Sequence, residues 1–413
     1  MGKVTSLQPI LRFSGFNGDW SKKWLGSVCS IGDVDHWMPQ TVSEGIPYLM
    51  TGDFVGINEL DFANAKLISE TDYGRLSRKI KPEYGDILFA RYASVGAVRY
   101  VNTHHKFQIS YSCAILKKPR NYDSQFLFYN IQSPEFQKKV ELEINTGSQR
   151  NIGIDSLKKI EVFFPNNTVE QTKIGDFFQN VDQQIKLHQD KHNKLQQLKK
   201  AMLGKMFPKA GKTVPEVRFS GFSGEWSIAL LGENARFTKG KGYSKSDLTC
   251  SGIPIILYGR LYTNYQVVIS EVNTFVNTAQ EAIKSKGGEV IVPASGETAE
   301  DIARASAVLQ PDVILGGDLN IIYPNQNLLP GFLALVISYS SSQRELAKKA
   351  QGKSVVHVRN SDLKALQVPI PSIEEQVKIS EYFQNLDNLI ALKRKKIYKL
   401  QNIKQSCLGK MFV

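Results

Sequence analysis

The feature that most constrains this chain is a long segment it contains twice. Glu170 to Phe207 reads EQTKIGDFFQNVDQQIKLHQDKHNKLQQLKKAMLGKMF, and Glu375 to Phe412 reads EQVKISEYFQNLDNLIALKRKKIYKLQNIKQSCLGKMF. Roughly half the positions coincide without a gap, so the chain carries a true internal repeat. In the first copy Ile174, Phe178, Val181, Ile185, His188, His192, Leu195, Met202 and Met206 recur at steps of three and four, with one step of seven across Lys199. Ile379, Phe383, Leu386, Ile390, Lys393, Ile397, Leu400, Cys407 and Met411 do the same in the second. That spacing predicts a coiled-coil seam, and Leu187, Leu198, Leu392 and Ile403 are expected to widen its apolar stripe. A fully helical copy would be about 55 Å long. Neither helix can bury its stripe alone, so the simplest partner for each is the other.

A second repeat precedes each helix. Pro9-Ile10-Leu11-Arg12-Phe13-Ser14-Gly15-Phe16 with Gly18-Asp19-Trp20-Ser21 returns as Pro215-Glu216-Val217-Arg218-Phe219-Ser220-Gly221-Phe222 with Gly224-Glu225-Trp226-Ser227. The offset is again about 205 residues, so the repeating unit is half of the 413-residue chain. The expected layout is a globular domain over 1–165, a central helix over 166–208, a second domain over 209–371 and a last helix over 372–413. Short β-rich runs bounded by Gly, Pro and Asn (Ile87–Tyr92, Ala114–Leu116, Val290–Val292, Ile321–Tyr323) make the domains mixed. Thr298 with Asp301 reads as a capping box opening a helix over Ile302–Leu309. The fold class is therefore α+β: two mixed domains and two long helices.

Chemistry is harder to find. Gly352-Lys353-Ser354 resembles the end of a phosphate-binding loop, but Ala347 stands where that loop needs glycine. Pro311-Asp312 followed much later by Asp362-Leu363-Lys364 faintly resembles a metal-dependent nuclease, whose metal needs two converging carboxylates. His188 and His192 sit one helical turn apart with no third ligand, and a polar notch that sets register is the better account. No motif for a methyl donor or a flipped base is present, so neither a catalytic residue nor a bound metal is expected. The thiols Cys29, Cys113, Cys250 and Cys407 lie far apart, as in reduced cytosolic proteins. No apolar run approaches a membrane span, and the start lacks the apolar core of a signal peptide, so a soluble cytoplasmic protein is expected.

The net charge of +13 favours a polyanionic partner, with nucleic acid first. Lysines and backbone amides suit phosphates, while Arg, Asn and Gln can read base edges. In the second half the candidates are Lys239, Lys241, Tyr243 and Lys245 on a flexible basic loop, then Tyr258, Arg260 and Tyr262, then Lys353, Ser354 and His357. In the first half they are Arg91, Tyr92 and Ser94, with Gln149, Arg150 and Asn151 on a second loop. Replacing Arg260 by alanine is expected to change recognition of the sequence if it reads a base, and to weaken binding uniformly if it meets a phosphate. The last helix is basic beyond Asp387, through Lys393, Arg394, Lys395, Lys396, Lys399, Lys404 and Lys410, which reads as a solvated face or a rod near DNA. Leu-Gly-Lys-Met-Phe ends both helices although solvent would not require Met and Phe there, which points to a shared packing or partner surface.

The order of variable domain, EQ-initiated helix ending LGKMF, variable domain and matching helix resembles the DNA-specificity subunit of type I restriction–modification enzymes, and the RFSGF openers resemble that family's. The resemblance implies an antiparallel helix pair separating two target-recognition domains under a pseudo-two-fold, each domain reading one half of a split double-stranded DNA target. It also implies two methyltransferase subunits bringing S-adenosylmethionine, and restriction/translocase subunits using ATP and Mg2+, with no cofactor on this chain. Helix length would then set the gap between half-sites, so inserting a heptad in both helices should lengthen it. Two alternatives stay open from the residues: a nuclease or methyltransferase with a degenerate site, marked by methyl-donor binding or metal-dependent cutting, and a protein scaffold, marked by salt-insensitive binding.

Overall fold

The structure is a computed structural model that describes residues 7–147, 149–278, 282–350 and 355–413. They form two compact units. The first ends at Asp190 and is rejoined by Arg394–Val413; the second is Lys191–Lys393.

In the first unit a four-stranded antiparallel sheet runs in the order Ile31–Gly32, Cys113–Leu116, Ile87–Ala90, Val98–Tyr100. Ile87–Ala90 (ILFA) is buried on both faces, which is why its sequence is apolar without alternation. A three-stranded sheet places Ile46–Leu49 antiparallel to Lys66–Ile68 and parallel to Gln108–Ile109. Helix Ser124–Ile131 packs on Val98–Tyr100 of the larger sheet and helix Pro134–Leu142 on the strand Glu161–Phe164, each opened by a capping side chain, Asp123 and Ser133. The second unit has a five-stranded sheet in the order Ala235–Lys239, Leu319–Pro324, Glu289–Pro293, Ser306–Val308, Val268–Ile269 and a three-stranded one centred on Ile253–Ile256. Burial pushes the thiols of Cys29 and Cys113 up to about 12, so both are packed and unreactive.

Half of the capping box at Thr298 forms, with Asp301 N–H donating to the Thr298 hydroxyl at 3.1 Å, but this cap opens only the single turn Ala299–Ile302. The expected helix over 302–309 is replaced by the strand Ser306–Val308, hydrogen-bonded on both sides in the five-stranded sheet. Sheet pairing there outweighs the local cap.

The long helices are Thr168–Lys205 and Ile373–Leu408. Within each unit, segments of both run antiparallel. In the first, Phe412 stacks on Phe178 (centroids 5.7 Å apart) while Lys404 pairs with Asp182 at 2.8 Å. In the second, Phe207 stacks on Phe383 (6.3 Å) and Lys199 pairs with Asp387. Ile174, Phe178, Val181, Ile185, Ile379, Phe383 and Leu386 are buried, while Leu195, Ile390 and Leu400 are half-buried. The stripe is narrower than its sequence implies: Leu187, Leu198, Leu392 and Ile403 are exposed. Two facing helices cover one seam each, and residues flanking it point away. Lys404, which reads as part of a solvated basic face, is 8% exposed; it holds Asp182 and donates to Gln132 at 3.3 Å.

The repeated motifs converge in each unit. Arg12 clasps the buried Glu170 through Nε and Nη2 at 2.7 and 2.8 Å, and Arg218 holds Glu375 the same way at 2.7 Å through both nitrogens. Arg12 Nη1 also donates to Gly18 O, and Arg218 Nη1 to Gly224 O, both at 2.6 Å. Gly18 and Gly224 turn back at φ of +80° and +77°, where a side chain would be strained. Gln171 and Gln376, beside the two glutamates, each bind loop backbone at both ends of the amide. Each opener's backbone then docks on an LGKMF tail, Leu11 N–H to Lys410 O at 2.8 Å and Val217 N–H to Lys205 O at 3.0 Å. The tails are core: Leu408, Met411 and Phe412 pack with Trp20 and Phe126, and Leu203, Met206 and Phe207 with Trp226 and Phe332. Packing explains their identity.

Candidate nucleic-acid interface

In the second unit the basic loop after strand Ala235–Lys239 is held in place by backbone rather than flexible. Gly240 N–H donates to Leu319 O (2.8 Å), Lys241 N–H to Leu315 O (3.2 Å) and Gly317 N–H to Gly242 O (2.7 Å). Two glycine pairs make this approach possible, since a Cβ on Gly240 would lie 1.7 Å from Gly316 O. Tyr243 follows at φ +61°, unusual for a bulky residue, and its hydroxyl donates to Thr278 O at 2.9 Å. Lys239, Lys241 and Lys245 are exposed on this fixed frame. Tyr243 and Lys245 border a cleft of about 660 Å³, with Leu248 and Leu257 among its apolar lining and Tyr258, Arg260, Asn264 and Asn273 on its polar side.

The structure separates the other candidates. Tyr258 is exposed at the cleft. Arg260 is half-buried and donates to Asn273 Oδ1 (3.2 Å), Gln266 Oε1 (2.8 Å) and Glu271 O (3.1 Å). Tyr262 is half-buried: its hydroxyl donates to Ser295 O at 2.8 Å, burial pushes its pKa up to about 12, and Arg304 lies over its ring. His357 is exposed on a short strand paired with Ser295. Lys353 and Ser354, with the phosphate-loop look-alike they belong to, lie outside the described residues.

In the first unit Arg91 lies inside the fold. Its side chain is buried, Nη1 paired with Asp33 and Nε donating to Ile152 O at 3.0 Å. Burial pushes the Asp33 carboxyl up, but hydrogen bonds from Lys79 and His36 and the Arg91 charge outweigh it and hold it below the ordinary range. Tyr92 bridges to Asn151 and meets Tyr111 edge-on, which brings the two predicted loops together. Ser94 and Gln149 are exposed; Arg150 is exposed and paired with Glu141. The fold adds residues the sequence did not single out: His36 stacked on Tyr111 (4.8 Å), Trp37 under Arg75 (4.2 Å), and Lys79. Their segments are distant in sequence, so only the aromatic and basic residue types could have marked them.

Among the described residues no cluster of His, Cys, Asp or Glu has the arrangement of a metal site, and no helix is long and apolar enough to cross a membrane. Asp362, half of the nuclease look-alike, accepts from Arg359 N–H at 2.8 Å and caps its own short helix.

A family profile described as the type I restriction modification DNA specificity domain matches residues 17–197 and again 224–402. The chain belongs to this family. As a specificity subunit it is a DNA-directed, non-catalytic component of a type I restriction–modification complex. It is 21% identical over 304 residues to the type I restriction enzyme MjaVIII specificity subunit of Methanocaldococcus jannaschii, covering 71% of this chain and 70% of that one. Its fold is similar to the crystal structure of the type I restriction–modification S subunit from M. genitalium, with TM-score 0.64, 17% identity and coverage of 98% and 99%. A chain from a structure of type I R-M complex assembly and conformational transition matches with TM-score 0.50, 16% identity and coverage of 94% and 96%.

Proposed function

We propose that this specificity subunit reads a split double-stranded DNA target, one half with each unit, and positions two methyltransferase subunits and the restriction/translocase subunits on it in the cytoplasm. The observation that carries this is duplication of the whole recognition module: the family profile matches twice, and each unit has its own core, opener clamp and LGKMF closure. The exposed lysines on a rigid frame in the second unit and the aromatic, basic cluster in the first supply phosphate and base contacts. S-adenosylmethionine, ATP and Mg2+ belong to the partner subunits on this account.

Selection from a pool of randomised duplexes by the full chain, with its methyltransferase subunits, tests the proposal. Enrichment of two short motifs at one fixed gap is expected, with affinity falling steeply as salt rises. Enrichment of no motif, or binding indifferent to salt, would overturn it.

A further inference from the structure

Asn273 and Gln266 lie on separate segments of the second unit, and both present their amide oxygen to Arg260, at 3.2 and 2.8 Å. A guanidinium has donors only, so the atom facing it must be oxygen in each amide. This fixes the outward polarity of both side chains. Their NH2 groups point away from Arg260, and neither makes a hydrogen bond among the described residues. Both residues are exposed, and Asn273 lines the cleft bordered by Lys245 and Tyr258. Arg260 is itself held by Glu271 O at 3.1 Å, so the arrangement is pre-set rather than formed on binding.

We propose, building on the DNA-specificity function above, that Asn273 is a base reader of the second recognition domain, assisted by Gln266, and that Arg260 is the positioning residue that makes them donors. An asparagine or glutamine that reads adenine must offer its oxygen to N6 and its nitrogen to N7 together. Here the oxygens face the guanidinium. The outward pattern is donor only, as in an arginine that reads guanine through O6 and N7. The assigned base is a guanine in the half-site of the second domain, because its O6 and N7 offer an acceptor to each of the two amides where thymine offers O4 alone, and adenine is disfavoured because its N6 amine would meet another donor. Arg260 thus acts on specificity through the amides, and a direct phosphate or base contact is not its role.

The test is a genome-wide methylation map in the source cell with the gene deleted and then restored as wild type, Asn273→Asp, Asn273→Ser or Arg260→Ala. Restoration of a split motif by the wild type tests the DNA-specificity function itself, and its failure would sink that function and not only this assignment. Given that motif, Asn273→Asp keeps an acceptor beside Arg260 and turns the outward donor into an acceptor. Preference for guanine at one position should fall roughly tenfold or more, towards a base bearing an exocyclic amine, with the other half-site and the gap unchanged. Asn273→Ser, whose hydroxyl both donates and accepts, should relax that same position, and it serves where the aspartate variant methylates nothing. Arg260→Ala should admit adenine there. A wild-type motif from the serine and arginine variants would overturn the proposal, as would a uniform weakening by Arg260→Ala without a change of motif.

Discussion

Phe412→Ala is the sharpest perturbation of the way each unit is closed. Phe412 is 5% exposed, four residues beyond the last residue of its helix, and its ring contacts Phe126 at 5.3 Å, Phe178 at 5.7 Å and Trp20 at 6.4 Å. Truncating a buried phenylalanine costs about 3–5 kcal/mol, because the transfer free energy is lost and the cavity collapses only in part. That is a large share of the roughly 5–15 kcal/mol that holds a domain folded. The loss should fall on the first unit, whose core contains this ring, although the residue is more than 200 positions from its core neighbour Phe178. Hydrogen exchange resolves the two units: amides of Ile87–Ala90 should lose about two to three and a half orders of magnitude of protection, while those of Glu289–Pro293 hold theirs. Phe207→Ala should reverse the pattern. Unchanged protection of Ile87–Ala90 in Phe412→Ala, or equal loss in both strands, would refute the closure described here.

Three further outcomes follow from the packing. Lys404→Ala leaves Asp182 half of a broken buried pair and should cost about 3–5 kcal/mol in urea unfolding, whereas Lys404→Met with Asp182→Leu should recover most of it; an equal cost for single and double changes would show that the ion pair is not the cause. Gly240→Ala must push the basic loop off Gly316, so DNA affinity should fall and selection at the second domain's half-site should blur, with the other half-site kept, in the randomised-duplex selection; wild-type affinity would mean the frame is not needed. Asp33 has a lowered pKa in the folded unit, so its contribution to stability is present above the ordinary aspartate range and is lost as pH falls through the lowered value. Thermal unfolding of the first unit should therefore weaken with acid below about pH 4, and Asp33→Asn, less stable at neutral pH, should show a shallower acid slope.

Much of this fold was legible because its repeats are local and strong. The three-four spacing revealed both long helices, and the recurrence of Arg12 and Trp20 as Arg218 and Trp226 revealed the internal repeat. What was not legible depends on long-range pairing. Two identical LGKMF tails carry no mark of which core each enters, and periodicity shows a lysine at 404 without showing the aspartate that buries it. Thr298 formed its cap, yet sheet edges far away in sequence decided what followed. Among the candidate DNA-contacting residues, residue type alone could not separate the exposed Lys239 from the internally paired Arg91, or show that Arg260 would be turned onto two amides. Conversely, KGKG reads as flexible until the opposing Gly316-Gly317 is seen beside it.

The most direct test of the central claim is a genome-wide map of adenine methylation in cells with and without this gene. The account predicts that methylation disappears at a single motif of two short halves around a fixed gap and is unchanged elsewhere. An identical map, in cells where the methyltransferase subunit is expressed and co-purifies with this chain, would contradict it.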